Sequence, residues 1–266
     1  MPDSADSLLF RSGDPDFMTS LARGLGVLRA FADSDGELTV REICETTGLS
    51  RAVVRRCLYT LVEAGYVRHG DRRYQLDVKV LSLAKPYYSA PRSLPALAQP
   101  FLDALSQEIQ ESCSLAVLDG DDVVYVARAA TERIMTVSLT LGSRLPSTYT
   151  SLGRVLLSGL SDETLEAFLS RNPLASHTAK SITNTNQWRD FINQVKQQSY
   201  ALVDEELEIG LRSIAVPVHG MEGEIVAAMN VGVQATRISS HELKTRILPK
   251  LRTAASSLSN RITNAI

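Results

Sequence analysis

Cysteine is scarce in this chain. Cys44, Cys57 and Cys113 are the three in 266 residues, and no two form a C-x-x-C pair. That excludes a disulfide scaffold or a zinc ribbon and fits small core residues in a reducing cytoplasm. Long apolar runs are missing as well. None reaches the roughly 18 residues that argue for a bilayer span, so no membrane partner is expected. Leu8-Leu9-Phe10 follows Asp3 and Asp6 rather than basic residues, so it does not read as a signal peptide. Neither sign of charge dominates. The 28 basic and 30 acidic residues leave −2, so bulk charge neither suggests nor excludes nucleic acid. There is no G-x-S-x-G elbow and no P-loop, and His177, His219 and His241 stand alone. Gly24-x-Gly26 lacks a third glycine and a preceding strand, so it reads as close helix packing rather than a dinucleotide site. Cys113 reads as a core residue and Glu205-Glu206 as a solvated turn. No catalytic residue, metal ligand or cofactor is assigned.

What is present is an ordinary globular composition, 44% hydrophobic, long enough for two domains. Residues 1–17 read as a mobile arm. Residues 18–76 carry the basic charge, with nine arginines against seven acids from 19 onward. Arginine is the side chain suited to forked contacts with phosphate and guanine. A first helix is expected over 19–33, with Leu21, Leu25, Leu28 and Ala32 as its core stripe. A second follows over 38–47, with Thr39 and Glu42 spaced as a capping box and Gly48 as its stop. Ser50 then caps a third, 51–64, whose apolar face is Val54, Cys57, Leu58, Leu61 and Val62. Two short strands over 66–76 flank Gly70-Asp71.

This order predicts a winged helix-turn-helix that binds double-stranded operator DNA, the alternative being a small three-helix interaction module with a solvated arginine face. Ser50, Arg51, Ala52, Arg55 and Arg56 are expected in the major groove. Arg68, Arg72 and Arg73 on the hairpin are expected along phosphates. Residues 77–92 form a connecting helix disturbed by Pro86, and 93–266 alternate irregularly between helix and strand. That pattern predicts an α+β domain with a largely antiparallel sheet, including a strand near 134–140.

Two stretches of this second domain suggest a ligand. In GSRLPSTYTSLGRVLL, residues 142–157, Thr150 or Ser151 caps a helix whose free N–H groups suit an anion, and Tyr149 is a candidate wall. In DEELEIGLRSIAVPV, residues 204–218, Arg212 could fork a carboxylate and Ser213 add a bond, with Asn230 on the partner strand. The alternative for Arg212 is a surface pair with Glu206 or Glu208.

Taken together, SLARGLGVLRAF, GLSRAVVRRCLYTLVEAGYV, TSLGRVLL and DEELEIGLRSIAVPV resemble the IclR-type bacterial transcriptional regulators over about residues 19–262. FMTSLARGLGVLRAF and GLRSIAVPV are most similar to regulators of protocatechuate, 4-hydroxybenzoate and β-ketoadipate catabolism. The resemblance implies a GAF-like sensor for a small aromatic or dicarboxylic acid. It also implies a homodimer through the DNA-binding domain, or a tetramer, and contact with RNA polymerase. By position it places Arg144, Leu145, Tyr149, Thr150, Glu205, Arg212, Ser213 and Asn230 in the sensor pocket. Two rival readings stand beside it: an enzyme acting on small acids with a DNA-binding appendage, and a ligand-independent DNA-binding protein.

Overall fold

A computed structural model describes residues 14–32, 34, 36–131 and 139–264. Most of the expected arm over 1–17, and most of the strand expected near 134–140, lie outside the described residues. The chain divides into two units, the first ending at Pro86 and the second beginning at Tyr87.

The first unit contains α1 (Thr19–Arg29), β1 (Glu37–Leu38), α2 (Val40–Thr47), α3 (Arg51–Glu63), β2 (Val67–His69) and β3 (Tyr74–Leu76). Helix α2 begins where its first N–H groups find partners. The Thr39 hydroxyl accepts from Glu42 N at 3.2 Å, and the Glu42 carboxylate accepts from Thr39 N at 2.6 Å. It ends at Gly48, whose φ of 67° is left-handed. Ser50 holds the N-cap position of α3, but its side chain makes no cap bond. Val54 and Leu58 turn inward and pack with Val27, Phe31, Ile43, Leu49 and Val67.

Helix α1 departs from the expected stripe. Val27 is its buried residue, followed by Ala30 and Phe31 just past its end; Leu28 of the expected stripe packs against the core, whereas Leu21 and Leu25 are exposed. The sequence carries two apolar stripes here, and only one can face this small core. A Cβ on Gly24 would meet nothing within 4 Å, so this glycine does not mark a close helix contact. The expected hairpin is a three-stranded antiparallel sheet of order β1-β3-β2. Its tip is closed by Gly70 N donating to Arg73 O at 2.9 Å, with Arg72 in the left-handed region at φ 65°.

Helix α4 (Val80–Ser89) contains Pro86 and has no buried residue. In the second unit follow α5 (Leu94–Ile109), β4 (Ser112–Asp119), β5 (Asp122–Ala129), β6 (Arg144–Pro146), a 3₁₀ turn (Ser147–Tyr149), α6 (Ser151–Ser158), α7 (Asp162–Arg171), α8 (Thr185–Gln198), β7 (Ala201–Asp204), β8 (Leu211–His219) and β9 (Ile225–Gln234). Helix α9 (Leu248–Thr263) ends the series, after a π turn at Leu243–Ile247. The six strands form one antiparallel sheet, ordered β6-β5-β4-β9-β8-β7.

Each face of this sheet has its own helical cover. Leu115, Ile214, Met229 and Val231 pack against Leu102 and Leu105 of α5 and Leu251 and Leu258 of α9. Ala116, Ala215 and Ala228 pack against Leu152 and Val155 of α6 and Val195 of α8. Small alanines on that side let α6 lie close to the sheet. A β-bulge interrupts β5: Leu115 pairs with Ala127 but Ala116 with Tyr125, leaving Val126 over. Val126 and Ala127 therefore both join the α5/α9 side, while Tyr125 and Arg128 both face the α6 side.

Candidate functional site

On the first unit, Ser50, Arg51, Ala52, Arg55 and Arg56 are all exposed on the outer face of α3. Tyr59 extends that face by one turn. Arg68, Arg72 and Arg73 are exposed on the hairpin. Among the described residues, the guanidinium groups of Arg51, Arg55, Arg56, Arg68 and Arg72 have no partner. Arg73 differs. It donates to Glu37 O at 3.4 Å and lies 3.8 Å from the Glu42 carboxylate, so part of its charge is spent inside the domain.

On the second unit a cavity of about 280 Å³ lies between the sheet and the start of α6. Strand register explains its floor. Arg128, Ser114 and Asn230 are lateral neighbours across β5, β4 and β9. Ser112, Gly232 and Ser213 form the next row across β4, β9 and β8. Tyr125, Tyr149, Leu139, Leu145, Leu207 and Leu211 are among its walls. Thr150 and Ser151 stand at the start of α6.

The polar groups of this cavity are poorly satisfied from within. Thr150 takes the cap, its hydroxyl accepting from Gly153 N at 3.0 Å. That leaves Ser151 Oγ without a partner, and Asn230 Oδ1 is buried without one as well. Such groups cost free energy unless something bonds them. Arg128 donates to Ser114 Oγ at 3.2 Å, and among the described residues it has no carboxylate partner. Desolvation pushes its pKa down from the usual guanidinium value, which marks an under-compensated cation. Burial pushes the Tyr125 phenol up to about 12, so it remains a neutral hydroxyl.

Of the residues expected in a sensor pocket, Leu145, Tyr149, Thr150, Ser213 and Asn230 line this cavity, and Arg144, Glu205 and Arg212 do not. Arg212 lies between Leu211 and Ser213 on β8, and strand alternation turns it to the opposite side. There it grips Asp204 at 2.8 and 2.9 Å and donates to Ala235 O and Ile238 O at 3.0 and 2.6 Å. Neither Glu206 nor Glu208 is its partner. Arg144 binds Asp119 and Asp122 at 2.6 and 3.1 Å and holds the β4–β5 turn. Glu205, at a left-handed φ of 58°, closes its own loop. It accepts from Gly210 N at 2.9 Å and from Lys180 at 2.5 Å.

Arg128, Ser112 and Ser114 were not foreseen, nor was the buried pair that braces the walls. Arg154 is fully buried in α6 and forks Glu206 at 2.7 and 2.6 Å. Its Nε donates to Thr148 O at 3.0 Å, and its guanidinium lies 4.2 Å from the Phe191 ring centre. Glu206 also accepts from Ile182 N at 3.1 Å. Arg154 therefore ties the Ser147–Tyr149 turn, helix α6 and the β7–β8 loop together. Gly153 permits this closeness, since a Cβ there would fall 2.0 Å from Ser147 O. Burial pushes the Cys113 thiol up to about 12, which leaves it a poor nucleophile. Among the described residues no cluster could hold a metal ion, and no helix is long and apolar enough to cross a membrane.

Known proteins share both halves of this arrangement. Residues 20–71 match the IclR helix-turn-helix domain, and residues 88–260 match the bacterial transcriptional regulator IclR C-terminal domain. The chain is 43% identical to the Pca regulon regulatory protein of Pseudomonas putida over 94% of its own length and 86% of that protein's. It superposes with a TM-score of 0.81 on the crystal structure of regulator RHA06195 from Rhodococcus sp. RHA1, at 41% identity, covering 94% of this chain and all of that one. The inducer-binding domain of PobR from Acinetobacter, a double mutant crystallised with 3-hydroxybenzoic acid, gives a TM-score of 0.60 at 36% identity. That match covers 63% of this chain and 98% of the domain. The helix-turn-helix with its exposed arginine face, and the sheet domain with its half-satisfied cavity, belong to one lineage: this chain is a member of the IclR family of DNA-binding transcriptional regulators, with a C-terminal effector-binding domain.

Proposed function

We propose that the protein controls an aromatic catabolic operon by binding an aromatic carboxylic acid in the cavity over Arg128. The observation that carries this reading is the set of unmet needs on the cavity floor. A half-buried guanidinium has only a hydroxyl for company, beside the unpartnered Ser151 Oγ and Asn230 Oδ1. A carboxylate supplies the acceptor that Arg128 and Ser151 lack, whereas Asn230 Oδ1, itself an acceptor, is left for a donor on the effector. The two carboxylate oxygens accept a fork from Arg128 and a bond from Ser151, at the positive end of α6. The walls suit a ring. A cavity of about 280 Å³ exceeds the roughly 150 Å³ that holds benzene in an engineered site. The 3-hydroxybenzoic acid in the PobR domain supports the same class of ligand.

On DNA, Arg51 and Arg55 are assigned to base edges at the start of α3, with Ser50, Ala52 and Arg56 beside them; Arg68 and Arg72 are assigned to phosphates. The exposed Met18, Leu21 and Leu25 of the first unit suit a homodimer reading two half-sites, with tetramers built from it. The effector acts, on operator occupancy or on RNA polymerase contact, to the extent that it prefers one arrangement of the protein. The protein works in the cytoplasm and returns its ligand unchanged.

The test is a thermal-shift titration against 4-hydroxybenzoate, protocatechuate, 3-hydroxybenzoate, β-ketoadipate, glyoxylate and pyruvate. A ligand at 100 times its Kd adds about 2.7 kcal/mol to the folded state. A selective shift from an aromatic acid that shrinks to about a third in Arg128→Gln is expected. No shift from any of them sinks the reading.

A further inference from the structure

The cavity has a second charge that carboxylate binding leaves unused. Glu208 lies on the β7–β8 loop, between Leu207 and Leu211, and all three line the cavity. Among the described residues its carboxylate has neither an ion pair nor a hydrogen bond. Its backbone is nevertheless held. Leu211 N donates to Glu208 O at 3.2 Å, and the neighbouring Glu206 is locked by Arg154 and Ile182. Arg128 belongs to β5, whereas this loop leads into β8, three steps away in the order β5-β4-β9-β8. At about 4.8 Å per step the two strands are roughly 14 Å apart. The cavity therefore has a cationic end and an anionic end, and no ion pair joins them.

We propose that Glu208 determines effector specificity: it accepts a hydrogen bond from a hydroxyl at the end of the effector remote from its carboxylate, and it disfavours a second anion there. The inference rests on the cavity being an aromatic-acid site. An ionised carboxylate can only accept, so its partner must donate. A site built to bond a hydroxyl rejects the analogue without it, because a partly buried polar group is left unpaired. A second carboxylate meets like charge, which costs more still. The ligand class is a hydroxylated aromatic monoacid, in preference to a plain benzoate or a dicarboxylate.

Calorimetric titration of the full-length protein with benzoate, 4-hydroxybenzoate and benzene-1,4-dicarboxylate tests this. The wild type is expected to bind 4-hydroxybenzoate at least tenfold more tightly than benzoate, with the dicarboxylate weakest. Glu208→Gln should shrink the preference over the dicarboxylate at least fivefold, and Glu208→Lys should reverse it. Thermal melts establish that each variant is folded, and either one alone decides the matter. Equal binding of benzoate and 4-hydroxybenzoate by the wild type overturns the role of Glu208 and leaves the aromatic-acid site standing. So do ligand preferences in both variants that match those of the wild type. Binding of none of them by the wild type overturns both.

Discussion

Three arginines of the second unit leave water to different degrees and end in different states. Arg154 is sealed inside α6 with a carboxylate, a carbonyl and an aromatic face around it. Arg212 is nearly sealed, with four bonds to Asp204 and two carbonyls. Arg128 is partly buried yet meets one serine hydroxyl. A guanidinium has five donors in a rigid fork. Where the protein fills the fork, the residue ties strands and loops together. Where it leaves the fork open beside a cavity, the residue is poised for something from outside. Burial and the number of partners fall together across the three, and the number of partners sets what each residue can still bind.

That contrast can be broken at each arginine. The largest effect is expected at Glu206→Gln, which strands the Arg154 charge in the core. Removing one partner of a buried pair costs about 3–5 kcal/mol, read as a lower urea midpoint. A loss under about 1 kcal/mol would show that the pair does not brace the walls. Next, Arg128→Gln should weaken effector binding by about 2 kcal/mol, the worth of a charge-assisted bond, with little change in melting temperature. If stability falls and affinity does not, Arg128 belongs with the structural arginines. Arg212→Ala should do the reverse, costing about 1.5–2 kcal/mol of stability while effector affinity stays within twofold. The smallest effect concerns pH. The hydrogen bond from Lys180, with that from Gly210, holds the Glu205 carboxyl below its ordinary value. The loop clamp is thus fully present above the normal carboxylate range and is lost as pH falls through the lowered value. An acid titration should show Lys180→Ala flattening the low-pH limb slightly.

Much of the fold was legible in the sequence, for local reasons. The capping box at Thr39 and Glu42, the stop at Gly48 and the stripe of α3 are decided within a few residues. β1 was not legible, because two residues carry no alternation. The cavity was half legible. Tyr149, Thr150 and Ser213 stand beside turns and strand ends that the sequence marks, and Asn230 is a lone polar residue in an apolar strand. Arg212 misled because its position beside Ser213 looked like an asset. Neighbours on a strand point to opposite faces, so only one of the two could reach the cavity. Arg128 was hidden by the bulge. Counting by twos from Tyr125 assigns it to the far side, and one extra residue at Val126 brings it back. Arg154 did leave a trace, a lone charge in the otherwise apolar run SLGRVLL, but its partner is 52 residues away.

The contact between Gly153 and Ser147 also bears on how such a sensor can change over time. No side chain fits there, and the helix and turn that carry Tyr149, Thr150 and Ser151 are fused into one unyielding jaw. Substitutions on that side are costly before they are useful. The opposite jaw is different: its backbone is pinned by Glu205 and Glu206, while the side chains of Leu207, Glu208 and Leu211 are free to vary. Under the effector role proposed above, a lineage acquiring a taste for new acids would do so through those three positions, retuning the ligand while inheriting the seat for its carboxylate unchanged.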